Sequence, residues 1–181
     1  MTTANKLTIL RVVLIPVFLL ALLIPFSGHK WLALAVFIVA SATDYLDGHI
    51  ARKYNQVTTF GKFMDPLADK LLVTAAILIF VQWGQIPGWA AFVILAREFA
   101  VTALRLVAAS EGTVISAGMS GKVKTFSSLV ILCVMMTPFH SLTLGFPGFT
   151  FDVLGTAVML IVTVWSGGEY FVRHGKLLKL K

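Results

Sequence analysis

Four aspartates stand in an otherwise strongly apolar chain, and they form two close pairs. Asp44 and Asp47 are three residues apart, and Asp65 and Asp69 are four apart. On α-helices, both spacings place the two side chains of a pair on one face. Carboxylate oxygens are the ligands that Mg²⁺ and Mn²⁺ prefer, and four carboxylates suffice for two ions. The pattern therefore predicts a site for two divalent cations with these four aspartates as ligands.

Small residues and one arginine accompany the aspartates at helical spacing. Gly48 and Ala51 each follow an aspartate of the first pair by one turn, and Gly61 precedes the second pair by one turn. A helix face without side chains lets a bulky phosphate-bearing ligand approach the backbone. Arg52, one turn after Gly48, is suited to bind a phosphate oxygen. Simple pairing of the aspartates with nearby Arg and Lys is disfavoured, because acids inside apolar segments are generally functional.

Long apolar segments must position these residues. Hydrophobic residues make up 58% of the 181 residues and charged residues 13%, and the mean hydropathy is +0.91. A helix needs about 20 apolar residues to cross the hydrocarbon core of a bilayer. Six such segments are predicted, at residues 7–26, 31–53, 60–83, 87–109, 120–139 and 150–171. We therefore predict an all-α polytopic membrane protein with six transmembrane helices, a retained first span and a single domain over residues 1–181.

The distribution of positive charge predicts an orientation. The chain has 15 Lys and Arg against 8 Asp and Glu, a net charge of +7. When each basic residue is assigned to the nearer helix end, only Lys30 falls on the side opposite the two termini. The positive-inside rule then places the termini and the aspartates on the cytoplasmic side. Basic residues at span ends suit anionic lipid headgroups, so nucleic-acid binding is not expected.

The start of the third helix is left open by Pro66. If the helix begins near Thr59, Pro66 lies inside it and removes one backbone hydrogen bond. If Asp65 caps the helix, Pro66 is its first residue and Gly61 lies outside it.

A second set of charged residues is basic. Arg97 and Arg105 fall in the fourth segment, and Lys122 and Lys124 open the fifth. Cations inside a membrane are costly without partners, and Glu98 can compensate only one of them. A bound phosphate group would balance the others, which predicts an anionic substrate. The alternative for Lys122 and Lys124 is that their ammonium groups extend to lipid headgroups.

Written out, the acidic stretch is Asp44-x-x-Asp47-Gly48-x-x-Ala51-Arg52, eight residues, then Gly61-x-x-x-Asp65-x-x-x-Asp69. It resembles the complete signature of the CDP-alcohol phosphatidyltransferase family. The resemblance implies a six-helix membrane enzyme, usually a homodimer, with two divalent metals at the cytosolic membrane surface. Such enzymes attack the β-phosphate of a CDP-linked lipid with an alcohol and release CMP.

Further motifs are similar to those of family members that use CDP-diacylglycerol and sn-glycerol 3-phosphate. They are Asn5-x-x-Thr8-x-x-Arg11, "MDPLADKLL" from residue 64 to 72, Arg97-Glu98 with Arg105, and Gly121-Lys122-x-Lys124-Thr125. Ser128 departs from the Gln expected in such members. For Arg11, the alternative is a charge that only sets topology.

The resemblance implies a role for each matching residue. The expected contacts to CDP-diacylglycerol are Asn5, Thr8, Asp44, Gly48, Ala51, Arg52 and Gly61. The expected contacts to the acceptor phosphate are Arg97, Arg105, Lys122 and Lys124. Asp69, at the end of the acidic set, is the expected general base for the acceptor hydroxyl.

Two other functions are weighed against this one. A sibling enzyme would use another acceptor, such as inositol phosphate or a second lipid. A divalent-cation transporter would need a polar path, whereas the outer halves of the first, third and sixth segments carry almost no polar residues. We expect an integral protein of a bacterial inner membrane with its active site facing the cytoplasm.

Overall fold

The computed structural model describes residues 3–53, 59–110, 118–143 and 149–174, in which the extended regular elements are all helices. For residues 3–6, 44–53, 59–66, 69 and 110 only the helical backbone is described. The helices are α1 Thr3–Leu23, α2 His29–Lys53, α3 Thr59–Gln82, α4 Gly88–Ser110, α5 Met119–Met135 and α6 Phe151–His174. A 3₁₀ turn at Pro138–Ser141 precedes α6. The all-α prediction is confirmed for this part of the chain.

The six predicted segments correspond to the six helices, but four of the twelve ends differ by more than two residues. Helix α1 begins at Thr3, four residues before its segment, and α6 ends at His174, three residues beyond its segment. The two other differences lie at proline residues. The first helix ends at Leu23 and not at residue 26, because Pro25 disfavours helical backbone in the residue before it. The fifth ends at Met135 and not at residue 139. Pro138 has no N–H to continue the helix, and it begins the 3₁₀ turn instead.

The third helix begins at Thr59. Gly61 and Asp65 therefore lie within it, and the alternative in which Asp65 caps the helix is wrong. Pro66 lies inside α3 beyond its first turn, so one backbone hydrogen bond of the helix is lost there.

Helix α6 is long and apolar enough to cross a membrane, and it is alone in this among the residues with described placement. Shorter apolar stretches occupy Leu7–Leu23, His29–Thr43 and Lys70–Gln82. In α4, Arg97 and Glu98 interrupt the apolar sequence near its centre. Length and hydropathy thus single out one helix, and the six-span topology stays a prediction.

The chain divides into two compact units, and the first contains α1, α2 and α3 as far as Ile79, together with Met136–Pro138. Helices α1 and α2 pack together around Phe18 and Phe37, whose ring centroids are 5.5 Å apart. Both rings are fully buried, and Ala33 and Ala40 flank Phe37 on α2. These small side chains let two helices approach closely, as is common between membrane helices.

The second unit contains the end of α3, from Phe80, and helices α4, α5 and α6. Helix α6 packs against both α4 and α5. It lies close to α5 at Gly155, where an added Cβ would lie 2.8 Å from Ile131 Cγ2. The turn from α3 into α4 contains Gly84 at a φ of 74°, a conformation that favours glycine. The close packing of α6 places its polar residues beside those of α4.

Candidate active site

The four aspartates lie on two helices of the first unit. Asp44 and Asp47 are in the C-terminal half of α2, and Asp65 and Asp69 are in the N-terminal half of α3. The helical backbone gives each pair the shared face that its spacing predicts. Their side chains lie outside the described ones, as do those of Asn5, Ala51 and Arg52 and the surroundings of Gly48 and Gly61. The donor set, four carboxylates on regular helices, fits hard divalent cations.

Two residues of the N-terminal motif, Thr8 and Arg11, point into the protein on α1. Thr8 and Arg11 are one turn apart and both are buried, Arg11 completely. A buried guanidinium requires polar or anionic partners because desolvation of a charge is costly. Such burial argues against a charge that only sets topology, since that role requires a guanidinium at the membrane surface.

A largely buried ion cluster joins α4 to α5 in the second unit. Arg97 Nη1 donates a hydrogen bond of 3.1 Å to Glu98 Oε1, and the Lys124 ammonium group donates to the same oxygen. Lys124 is only 3% exposed, so the alternative in which it extends to headgroups is wrong. One carboxylate thus serves two cations, and these three side chains keep a net positive charge.

Helix α6 holds the other side of Arg97. Arg97 Nη2 donates a hydrogen bond of 3.0 Å to Ser166 Oγ, and Ser166 Oγ donates one of 3.2 Å to the Thr163 carbonyl. Arg97 Nε is buried and has no hydrogen-bond partner among the described residues. Two of the three guanidinium nitrogens are therefore fixed by α4 and α6, and the third has unused donor capacity.

Arg105 lies two turns further along α4 and is held by Tyr170 of α6. Its Nε donates a hydrogen bond of 3.2 Å to the Tyr170 hydroxyl, and its Cζ lies 5.4 Å from the ring centroid. The tyrosine ring is buried in one core cluster with Val101 and Leu104. Packing thus fixes the ring, and the ring orients the guanidinium through the hydrogen bond and a cation–π contact.

The remaining predicted residues of α5 lie differently. Lys122 is exposed in the first turn of α5 and is not part of the buried cluster. Ser128, which departs from the expected Gln, is buried one turn after Lys124, and its hydroxyl has no hydrogen-bond partner in the described ranges.

Electrostatics favour an anion beside α4. Arg97, Arg105 and Lys124 supply three positive charges and Glu98 one negative charge, a net charge of +2 for these four side chains. Glu98 is the single acidic residue in the sequences of α4 and α5. Arginine and lysine bind phosphate through charge-assisted hydrogen bonds, and the two negative charges of a phosphate monoester dianion match the net charge of these four side chains.

A separate polar group connects the α3–α4 turn to the start of α6. His140 Nδ1 lies 3.0 Å from Asp152 Oδ2 and 3.1 Å from Gln85 Nε2. The sequence assigned no role to the histidines. We interpret this group as structural, because it fastens a turn, the 3₁₀ segment and a helix end.

Comparison with known proteins bears on the same residues. Residues 1–166 match the family model of CDP-alcohol phosphatidyltransferase. The chain belongs to the CDP-alcohol phosphatidyltransferase family. The family match covers α1 to α5 and α6 as far as Ser166, so it includes both the aspartates and the basic residues of α4 and α5.

Named relatives of the family are similar over almost the whole chain. A Bacillus subtilis protein named CDP-diacylglycerol–glycerol-3-phosphate 3-phosphatidyltransferase is 44% identical over 187 residues, covering 97% of this chain and 96% of that protein. A Mycobacterium tuberculosis protein named probable phosphatidylglycerophosphate synthase is 40% identical, covering 94% and 80%. A Haemophilus influenzae protein with the same name as the Bacillus one is 33% identical, covering 95% and 93%.

Sequence reasoning missed the α6 residues of this phosphatidyltransferase. Ser166 and Tyr170 hold the two arginines but follow no recognised motif. Each lies more than sixty residues from its arginine, and only the packing of α6 against α4 brings them together. The available signal was a pair of polar residues four apart on an apolar helix. This spacing indicates that one face of α6 packs against another helix, but it does not show which helix that is.

Proposed function

We propose that this protein transfers the phosphatidyl group of CDP-diacylglycerol to sn-glycerol 3-phosphate, giving phosphatidylglycerophosphate and CMP. The observation that carries the proposal is the 44% identity, over almost the full length of both chains, to a protein named for this reaction. The net charge of +2 on four side chains of α4 and α5 supports it, because glycerol 3-phosphate is an anionic acceptor. These side chains are Arg97, Glu98, Arg105 and Lys124.

Two divalent cations, Mg²⁺ or Mn²⁺, are the proposed cofactors, with Asp44, Asp47, Asp65 and Asp69 as their ligands. When bound, such ions neutralise the charge of a diphosphate and of its leaving group. Asp69 is the proposed general base, which takes the proton of the acceptor hydroxyl as that oxygen attacks phosphorus. The residues proposed to contact CDP-diacylglycerol are Asn5, Thr8, Asp44, Gly48, Ala51, Arg52 and Gly61.

Arg97, Arg105 and Lys124 are proposed to bind the acceptor phosphate, with Lys122 at the exposed start of α5. That phosphate is remote from the attacking hydroxyl. Its binding energy therefore serves to capture and orient the acceptor, and it does not act on the reacting bond. Loss of a contact to it should change KM for the acceptor more than kcat.

The protein is proposed to span a bacterial inner membrane six times as a homodimer, with its termini in the cytoplasm. Large apolar side chains on several helices are exposed, for example Leu20, Phe92 and Ile161, as expected of lipid-facing surfaces. Ser27→Cys and Met119→Cys, in a Cys133→Ser background, should be labelled from outside and from the cytoplasm respectively. The reverse pattern would contradict this orientation.

The acceptor is tested by measuring CMP release. The purified protein is incubated with CDP-diacylglycerol, Mg²⁺ and one of four acceptors: glycerol 3-phosphate, inositol phosphate, glycerol or a lipid alcohol. Glycerol 3-phosphate should give the highest kcat/KM. Faster release with inositol phosphate or a lipid alcohol would replace this proposal with that of a sibling enzyme.

A further inference from the structure

Arg97 crosses α6 at a position where the helix has no side chain. Gly167 is buried, and a Cβ added to it would lie 3.0 Å from Arg97 Cγ, 3.6 Å from its Nε and 3.9 Å from its Cδ. The aliphatic part of Arg97 therefore lies directly on the α6 backbone. A carbon atom at 3.0 Å is tighter than an ordinary van der Waals contact, so any larger residue at this position must displace Arg97.

Displacement at Cγ affects the whole guanidinium group. Cγ is the second carbon of the side chain, close to the α4 backbone, so the groups beyond it move when it moves. Those groups are held at two points, Nη1 by Glu98 and Nη2 by Ser166. Ser166 immediately precedes Gly167, so one step of α6 both makes room for the stem of Arg97 and accepts a hydrogen bond from its end.

We propose that Ser166 and Gly167 are positioning residues. They hold the Arg97 guanidinium in the place and orientation in which it binds the phosphate of the acceptor. This inference rests on the proposed function, in which Arg97 binds that phosphate. Gly167 determines how close the stem lies to α6, and Ser166 determines which way the guanidinium plane faces. Planar guanidinium–phosphate pairing depends strongly on orientation. A Cβ at position 167 requires Arg97 to give by a few tenths of an ångström, so part of this contact should be lost.

Gly168 provides a matched control in the same helix. It is exposed, and an added Cβ would meet nothing within 4 Å. Alanine is favoured over glycine within helices, so both Gly→Ala changes favour the helix equally by intrinsic preference. Only the change at Gly167 also meets Arg97.

The test measures kcat and both KM values for Gly167→Ala, Ser166→Ala and Gly168→Ala. KM for glycerol 3-phosphate should rise roughly 3- to 30-fold in the first two, which is less than loss of a whole charge-assisted contact. KM for CDP-diacylglycerol should stay within about twofold, as should all constants of Gly168→Ala. In an Arg97→Lys background, Gly167→Ala should add less than about twofold, because both changes affect the same contact.

Arg105→Gln separates this inference from the proposed function. If Arg105→Gln raises KM for glycerol 3-phosphate while Gly167→Ala and Ser166→Ala leave it unchanged, the positioning role is overturned and the acceptor site stands. If all three leave it unchanged, the acceptor site itself is wrong. If KM for glycerol 3-phosphate and KM for CDP-diacylglycerol rise in parallel in Gly167→Ala and Ser166→Ala, the substitutions disturb packing in general. That result also overturns the positioning role. Should Gly167→Ala fail to fold, Ser166→Ala decides by the same criteria.

Discussion

The acidic region on α2 and α3 and the basic region on α4, α5 and α6 are built in different ways. Each aspartate pair lies within a single helix, at spacings of three and four residues. The basic region combines residues that are 26 and 69 apart in the chain, Glu98 with Lys124 and Arg97 with Ser166. The first pattern is readable from local sequence, whereas the second exists only after helix packing.

The same difference separates the proposed roles. The acidic region is proposed to hold the cations and the general base, so its loss should affect the chemical step. The basic region is proposed to bind a phosphate that is remote from the reacting bond, so its loss should affect capture of the acceptor. Substitutions in the two regions should therefore change different kinetic constants.

The largest effect is expected from removing the cations. Chelation should abolish CMP release, and Mg²⁺ or Mn²⁺ should restore it, because the carboxylates need the ions to offset their repulsion. Asp44→Asn should weaken binding of the metal and of CDP-diacylglycerol together. The control is Asp152→Asn, since Asp152 pairs with His140 at the start of α6 and is assigned no metal. Full activity after exhaustive chelation would remove the metal site from the account.

Asp69→Asn should come next. It should lower kcat by about 10²–10⁴-fold, the usual contribution of general-base catalysis, while CDP-diacylglycerol still binds. Single-turnover CMP release with saturating substrates measures this directly. Turnover near that of the wild type would assign the base to another group.

The helices, and the placement of each aspartate pair within one helix, were largely predictable from sequence, whereas the residues that hold the arginines of the basic region were not. Apolar runs predicted the six helices to within four residues. Two helices end early near Pro25 and Pro138, because proline lacks an N–H donor and restricts the residue before it. At Thr3 and at His174 the helical backbone extends beyond the apolar run. Residue type alone predicted that Arg97 needs partners. It did not predict Ser166 or Gly167, because their relation to Arg97 depends on how α6 lies against α4.

Glu98→Gln tests charge sharing inside the basic region. Arg97 and Lys124 both donate to Glu98 Oε1, so the neutral amide leaves two cations facing each other. The free energy of unfolding should fall by about 3–5 kcal/mol, as it does when one partner of a buried ion pair is removed. Glycerol 3-phosphate should raise the Tm of this variant more than that of the wild type, because the phosphate then supplies the missing charge. An unchanged Tm without ligand would mean that Glu98 is not the shared counter-ion.

The smallest effect is expected at the exposed end of α6. Arg173 pairs with Glu169 one turn earlier, at 2.7 Å, and its side chain is 67% exposed. Exposed pairs of this kind contribute about 0.3–0.5 kcal/mol. Arg173→Gln should leave Tm and both KM values close to the wild-type values. A selective rise in KM for glycerol 3-phosphate would extend the basic region to the end of α6.

The central claim is that the acidic region acts in the chemical step and the basic region in binding of the acceptor. The acceptor kinetics of Lys124→Gln and Arg105→Gln test this claim most directly. Each variant is assayed with glycerol 3-phosphate and with glycerol, which has no phosphate. KM for glycerol 3-phosphate should rise about 10- to 150-fold, the equivalent of a lost charge-assisted contact of about 1.5–3 kcal/mol. KM for CDP-diacylglycerol and the slow reaction with glycerol should hardly change. An unchanged KM for glycerol 3-phosphate in both variants would contradict the proposed phosphate site. An equal decrease in kcat/KM with glycerol 3-phosphate and with glycerol would contradict it as well.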